Sequence, residues 1–135
     1  AFTGKARIRH AESCDRLTAG TVLVAVKAFD LATVSRQLPE SPRSVLCASN
    51  GLGLGRGWQG DWRGVERLVL TYGFELTGPG RVRTFPGAVH VLAGGAAESL
   101  LEETDLTLET HPSMEPLIWA KWLVNSVINP FGALG

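Results

Sequence analysis

Near the carboxyl end of the chain, Lys121, Asn125 and Asn129 are spaced i, i+4, i+8. At about 100° per residue such positions share one face of a helix, drifting by roughly 40° per step. Their neighbours Trp119, Trp122, Leu123, Val124, Val127 and Ile128 are apolar. A helix apolar nearly all round is predicted to be buried, and a polar stripe on it needs partners. One ammonium and two carboxamides in such a setting suit a small oxyanion: the ammonium donates to a carbonyl oxygen, and the amides fix hydroxyl or carboxylate groups. Spacing alone leaves a plainer alternative open, a solvent-facing stripe on an otherwise buried helix.

The preceding residues supply elements able to position such a stripe. Residues 21–28, TVLVAVKA, form an apolar, β-branched run, the pattern of a strand buried on both faces of a parallel sheet. Asp30 opens a helical stretch with Leu31, Val34 and Leu38 at helical spacing; Pro39 and Pro42 end it, and SVLCAS at 44–49 predicts the next buried strand. Strand, helix and strand make a βαβ unit with an expected right-handed crossover. Asn50 to Gly60 is a glycine-rich loop, expected to be flexible, followed by a short helix over 62–67. LVLTYGFEL (68–76) predicts one strand, Gly78-Pro79-Gly80 a turn, and RVRTF and AVHVLAG two more strands joined at Pro86-Gly87, so that this half is more hairpin-like. AAESLLEET (96–104) predicts an amphipathic helix and LTLE a short last strand. Ser113 suits the N-cap, and Glu115 and Pro116 the first turn, of a final helix running to about Pro130. A domain boundary is expected near His111-Pro112, between a nucleotide-binding-like sheet (1–111) and the start of a helical domain (112–135).

A chain of 135 residues fits one modest domain with a real core. Thirteen basic residues balance thirteen acidic ones, so no electrostatic footprint points to nucleic acid or to an anionic membrane surface, and a small metabolite or cofactor is the easier partner. No apolar run reaches the roughly 18 residues a membrane span needs, and no signal peptide opens the chain. Cys14 and Cys47 lack metal-ligand spacing or a CxxC pattern and are expected to be buried and unpaired, which suits a reducing, cytoplasmic setting. The start at Ala1 and the end just past an apolar helix are read as truncations of a longer protein.

In chain order, VAVKA (24–28), SNGLG (49–53), LTYGFELTGPGRV (70–82) and KWLVNSVINP (121–130) resemble segments of the ketopantoate reductase (2-dehydropantoate 2-reductase) family. KWLVNSVINP (121–130) is similar to that family's signature of a lysine followed at four and eight residues by asparagines and then proline. VAVKA (24–28) resembles its strand ending in a lysine, SNGLG (49–53) its "QNG" loop, and LTYGFELTGPGRV (70–82) its "TYYGA…PG.V" strand and turn. The resemblance implies an α/β fold: a Rossmann-like NADP-binding domain, incomplete here because its N-terminal strand and glycine loop would precede Ala1, followed by the first helix of an all-α domain. It implies reduction of ketopantoate by NADPH in pantothenate and coenzyme A synthesis, with Lys121 as general acid, Asn125 and Asn129 holding substrate, and Lys27, Asn50 and Gly51 facing the cofactor. Lys27 and Asn50 stand at the carboxyl ends of two predicted strands, and open α/β sheets bind ligands at that edge. Read without the resemblance, Lys27 is a surface lysine at a strand end and Asn50-Gly51 a turn. The substrate and cofactor must be held in near-attack geometry, so the chain alone is expected to be inactive or nearly so. The residues fix no oligomeric state, and a homodimer of the full-length protein is compatible with the resemblance.

Other patterns carry less. Gly55-Arg-Gly-Trp-Gln-Gly60 matches GxGxxG, but the nucleotide-binding fingerprint opens a helix directly, and a glycine-dense loop yields the pattern by chance. His10, His90 and His111 are too scattered along the chain to predict a metal site, the four tryptophans suit packing rather than stacking on bases, and Glu102, Glu103 and Asp105 read as a solvated helix end. Two rivals to ketopantoate reduction remain: a paralogue reducing another 2-keto acid, and a non-catalytic nucleotide-sensing module. Retention of Lys121 with both asparagines speaks against the second, because a sensor needs no general acid.

Overall fold

The computed structural model describes residues 20–38, 42–102 and 104–134, so Cys14 and His10 lie outside the described residues. Strand β1 (Thr21–Val24), helix α1 (Leu31–Gln37) and strand β2 (Ser44–Cys47) form the expected unit, and β1 pairs parallel with β2 from Thr21↔Ser44 to Val24↔Cys47. β1 is not buried on both faces: it is an edge of the described sheet, and Leu23 is 59% exposed. β2 is the central strand, and its period-2 alternation feeds two cores. Val45 and Cys47 pack with Val24, Leu31 and Leu54, whereas Leu46 packs with Leu68, Val89, Val91 and Ala97. Cys47 is buried and free.

The helix expected over 62–67 is instead a 3₁₀ turn, Trp62–Gly64, followed by β3 (Val65–Arg67), which adds parallel to β2. The β-branched Val65 at the register position opposite Val45 suits a strand better than a helix. Asp61 closes the turn by accepting from the Arg63 amide at 2.9 Å. The glycine-rich loop before it is packed rather than free. Trp58 and Trp62 meet edge-on with centroids 5.5 Å apart and lie against the first core, and a Cβ on Gly55 would stand only 2.8 Å from the Trp62 ring. Gly55 is therefore a packing glycine in a loop whose only regular segment is the 3₁₀ turn Leu54–Gly57, not the opening of an α-helix.

The run 68–76 breaks into β4 (Val69–Leu70) and β5 (Gly73–Gly78), which belong to different sheets. β5 turns back into β6 (Arg81–Phe85) as an antiparallel hairpin, and β4 pairs antiparallel with β7 (Val89–Leu92). The predicted hairpin joint at Pro86-Gly87 is thus a crossing between sheets. Gly87 passes so close to the chain at 71–72 that a Cβ would lie 2.6 Å from the Thr71 carbonyl carbon and against the Tyr72 backbone. β7 then pairs parallel with β8 (Leu108–His111), after the short helix α2 (Ala96–Leu101). The Glu66 carboxylate on β3 accepts from the amides of Ala96 (2.7 Å) and Ala97 (3.3 Å), satisfying free donors at the start of α2. Pairing of β7 with β8 also overturns the expectation of scattered histidines, since it brings His90 and His111 to a ring-centroid distance of 5.2 Å.

The last helix, α3, spans Glu115–Leu134 and runs on past the expected end at Pro130, which sits inside it and can give no amide to the preceding turn. Ser113 serves its start as expected, accepting from the Glu115 amide at 3.4 Å. No described helix is long and apolar enough to cross a membrane. Substituting Gly87→Ala is expected to destabilise the fold by about 2 kcal/mol, because a new methyl meets backbone that must shift; urea unfolding of both proteins measures it.

Candidate active site

α3 is oriented opposite to the expectation of all-round burial. Met114 is buried and Ile118, Lys121 and Asn125 are partly buried, marking one stripe turned toward the sheet. The apolar residues around that stripe are exposed, including Leu123 (57%), Val127 (58%) and Ile128 (59%). Lys121 and Asn125 are therefore on the inner face of the helix, while Asn129, one turn further on, is exposed at the cleft's rim. The Lys121 ammonium donates to the carbonyl oxygen of Leu70, the last residue of β4, which fixes the helix on the sheet.

Between them lies a cleft of about 360 Å³ lined by Lys121, Asn125 and Asn129 on α3, by Asn50 and Gly51 after β2, and by Arg67 at the end of β3. Five of the six residues singled out in the sequence thus meet in one place. Lys27 does not line this cleft: it is exposed beyond β1, where its carbonyl oxygen accepts from the Asp30 amide at 2.9 Å. It stays at the same sheet edge, because the buried Ser49 hydroxyl donates to the carbonyl oxygen of Val26 at 2.7 Å and ties the two strand ends together. Gly51 has φ +127°, a conformation side chains rarely adopt, so the turn after Asn50 requires glycine.

Arg67 is the residue that sequence reasoning missed. Its only signal was a charge set directly before the apolar LVL, in a stretch read as helical. Its guanidinium donates from one nitrogen to the carbonyl oxygens of Ser49 and Gly51, each at 3.3 Å, and so holds the Asn50-Gly51 turn. The Arg67 Nε is buried with no hydrogen-bond partner. Burial lowers the Arg67 guanidinium from the ordinary arginine range, against a smaller opposing pull from Cys47. The Lys121 ammonium is likewise lowered, first by burial and then by the charge of Arg67. Among the described residues neither cation makes an ion pair. Two cations and three carboxamides around one concavity present N–H donors of the kind that match a small oxyanion.

A parallel βαβ sheet whose strand ends carry such a cleft defines an α/β fold of the Rossmann class. No family model matches the chain. It is 33% identical over 126 residues to a 2-dehydropantoate 2-reductase of Archaeoglobus fulgidus, an alignment covering 86% of the chain and 43% of that relative. Among solved structures it resembles a dimeric ketopantoate reductase from Staphylococcus aureus (TM-score 0.68, 21% identity, 88% of this chain and 48% of that one). It also resembles D-mandelate dehydrogenase in complex with NADH (TM-score 0.64, 23% identity, 81% and 41%). The chain is similar to ketopantoate reductases, and it spans less than half the length of the relatives it matches.

The depressed Lys121 pKa has a stability signature. Between its folded value and the unfolded value of about 10.4, the unfolded chain binds more protons, so stability rises with pH through that window. The penalty is complete below the folded value and gone above the unfolded one. Stability measured against pH for the parent and Lys121→Met should therefore diverge in slope only on the alkaline side, the parent gaining relative to the variant as pH approaches 10. Parallel curves would contradict the burial of the charge.

Proposed function

We propose that the protein containing this segment reduces ketopantoate to pantoate with NADPH, and that the cleft described above is where the substrate's carbonyl and carboxylate lie. The observation that carries this reading is the pairing of two cations without an ion pair among the described residues, Lys121 and Arg67, with Asn125 and Asn129 in one cleft at the carboxyl edge of the sheet. A 2-keto acid presents a carboxylate and an adjacent carbonyl oxygen, the two kinds of acceptor that these donors match.

The lysine ammonium has three N–H donors and spends one on Leu70. Another can reach the substrate's C2 oxygen and give up its proton as negative charge develops there. Burial and Arg67 both make that proton easier to release than an ordinary lysine's. Asn125 and Asn129 hold the substrate's remaining oxygens from the next two turns of α3, and Arg67 supplies a second positive charge for the carboxylate. Asn50, Gly51 and Lys27, all at the same edge, are the residues that would hold the cofactor; the Gly51 turn exposes backbone there and Lys27 offers an exposed ammonium to its phosphates. NADPH, when bound, supplies the hydride.

Related readings rest on the same likeness. The sheet ends at His111 and α3 begins at Glu115, which favours a domain boundary near His111-Pro112. The exposed apolar face of α3 suits packing by the rest of a helical domain. A homodimer is proposed by analogy with the S. aureus enzyme. A second substrate reading, another 2-keto acid, is favoured by the likeness to D-mandelate dehydrogenase.

Lys121→Ala in the full-length enzyme is expected to lower kcat about 10²–10⁴-fold with little change in NADPH affinity, as for loss of a general acid. Oxidation of NADPH followed with ketopantoate and with an aryl 2-oxo acid in parallel decides both the role and the substrate. An unchanged kcat with ketopantoate would remove Lys121 from the chemistry.

A further inference from the structure

Away from the cleft, β7 and β8 carry a second constellation. In their parallel register His90 stands opposite Glu109, and His111 lies two residues beyond Glu109. Side chains alternate with period two along a strand, so Glu109 and His111 share the sheet face on which His90 lies. The side chains converge there: His90 Nδ1 is 3.0 Å from His111 Nε2 and 3.3 Å from the Glu109 Oε2, which is 3.9 Å from His111 Nε2.

We propose that His90, Glu109 and His111 form a binding site for a divalent transition-metal ion of the zinc type. Tetrahedral zinc, with bonds of about 2.0–2.2 Å to nitrogen and oxygen, holds its donors roughly 3.3–3.6 Å apart. The three observed separations bracket that spacing, so an ion needs only small side-chain adjustments to enter. Two imidazoles and a carboxylate match the preference of zinc, cobalt and nickel rather than of magnesium or calcium, which take oxygen ligands.

The support around the ligands is what a metal site requires. The second ring nitrogen of His90, Nε2, lies 3.2 Å from the Thr71 hydroxyl, and that hydroxyl accepts from the Ala88 amide at 2.9 Å and can donate to the Ala88 carbonyl oxygen at 3.3 Å. With the hydroxyl proton directed to Ala88, the His90 Nε2–H donates to Thr71, which leaves the Nδ1 lone pair facing Glu109 and His111. Outer contacts of this sort fix the tautomer and ring orientation of metal-bound histidines. His90 is buried, His111 partly buried and Glu109 half-exposed, an arrangement with an anchored ligand at the base and an open side for the ion and a fourth, solvent ligand. Thr71 adjoins Leu70, the acceptor for Lys121, so an ion here would also brace the strand end from which the lysine hangs.

Titration of the full-length protein with Co²⁺ is the direct test, because tetrahedral cobalt absorbs strongly in the visible range and Zn²⁺ displaces it. The expected result is one equivalent bound with a tetrahedral spectrum that zinc abolishes. His111→Ala and Glu109→Gln, both at accessible positions, should each weaken binding by more than about 100-fold, beyond the 10- to 100-fold typical of losing an outer contact. Far-ultraviolet circular dichroism and thermal unfolding without metal establish that each variant is folded, and if either is not, His111→Gln and Glu109→Ala replace it. No tetrahedral spectrum at millimolar cobalt, or binding that survives both substitutions, would overturn the proposal.

Discussion

The bond from the Lys121 ammonium to the Leu70 carbonyl oxygen joins the only long helix of the described chain to its sheets, and much of the site depends on it. α3 meets the sheet through a narrow stripe in which Ile118 and Lys121 are partly buried, so a polar contact contributes to its docking. An ammonium drawn out of water is penalised, and a single carbonyl acceptor offsets only part of that cost. The consequence is chemical as well as structural: the group that anchors the helix is also the one whose proton is held less tightly, with donors left over for a ligand.

Arg67 performs the matching task on the opposite wall. Its contacts to the Ser49 and Gly51 carbonyls turn a glycine-containing loop into a fixed rim, and Ser49 in turn reaches Val26 at the end of β1. The carboxyl ends of three parallel strands are thereby laced together on the side where α/β sheets commonly receive ligands. Because Arg67 stands opposite Cys47 in register, its position is set by the pairing of β2 with β3, and its charge lies next to a lysine it cannot neutralise.

Several elements were legible because local pattern and tertiary role coincide. β1, α1 and β2 follow from β-branched runs broken by helical spacing and prolines, and the α3 stripe follows from a four-residue period. Failures occurred where the pattern was short or ambiguous. Val65–Arg67 is too brief to show alternation, and the run 68–76 hides a change of sheet that only the passage of Gly87 against residues 71–72 reveals. The glycine loop looked loose because composition cannot register that Trp58 and Trp62 close it onto the core.

What the sequence by itself determined is the set of chemical groups and their helical phase: a lysine and two asparagines on one face, and an asparagine-glycine turn after a buried strand. Spacing along one helix is a property of local geometry, so it needs no knowledge of the rest of the fold. The direction that face points was decided by tertiary structure, which turned Lys121 and Asn125 inward and left the apolar residues around them outside. Tertiary pairing also placed Arg67 in the cleft, kept Lys27 out of it, and brought His90 beside His111 from 21 residues away. Strand register and helix docking connect residues distant in the chain, and no local periodicity encodes which of them will meet.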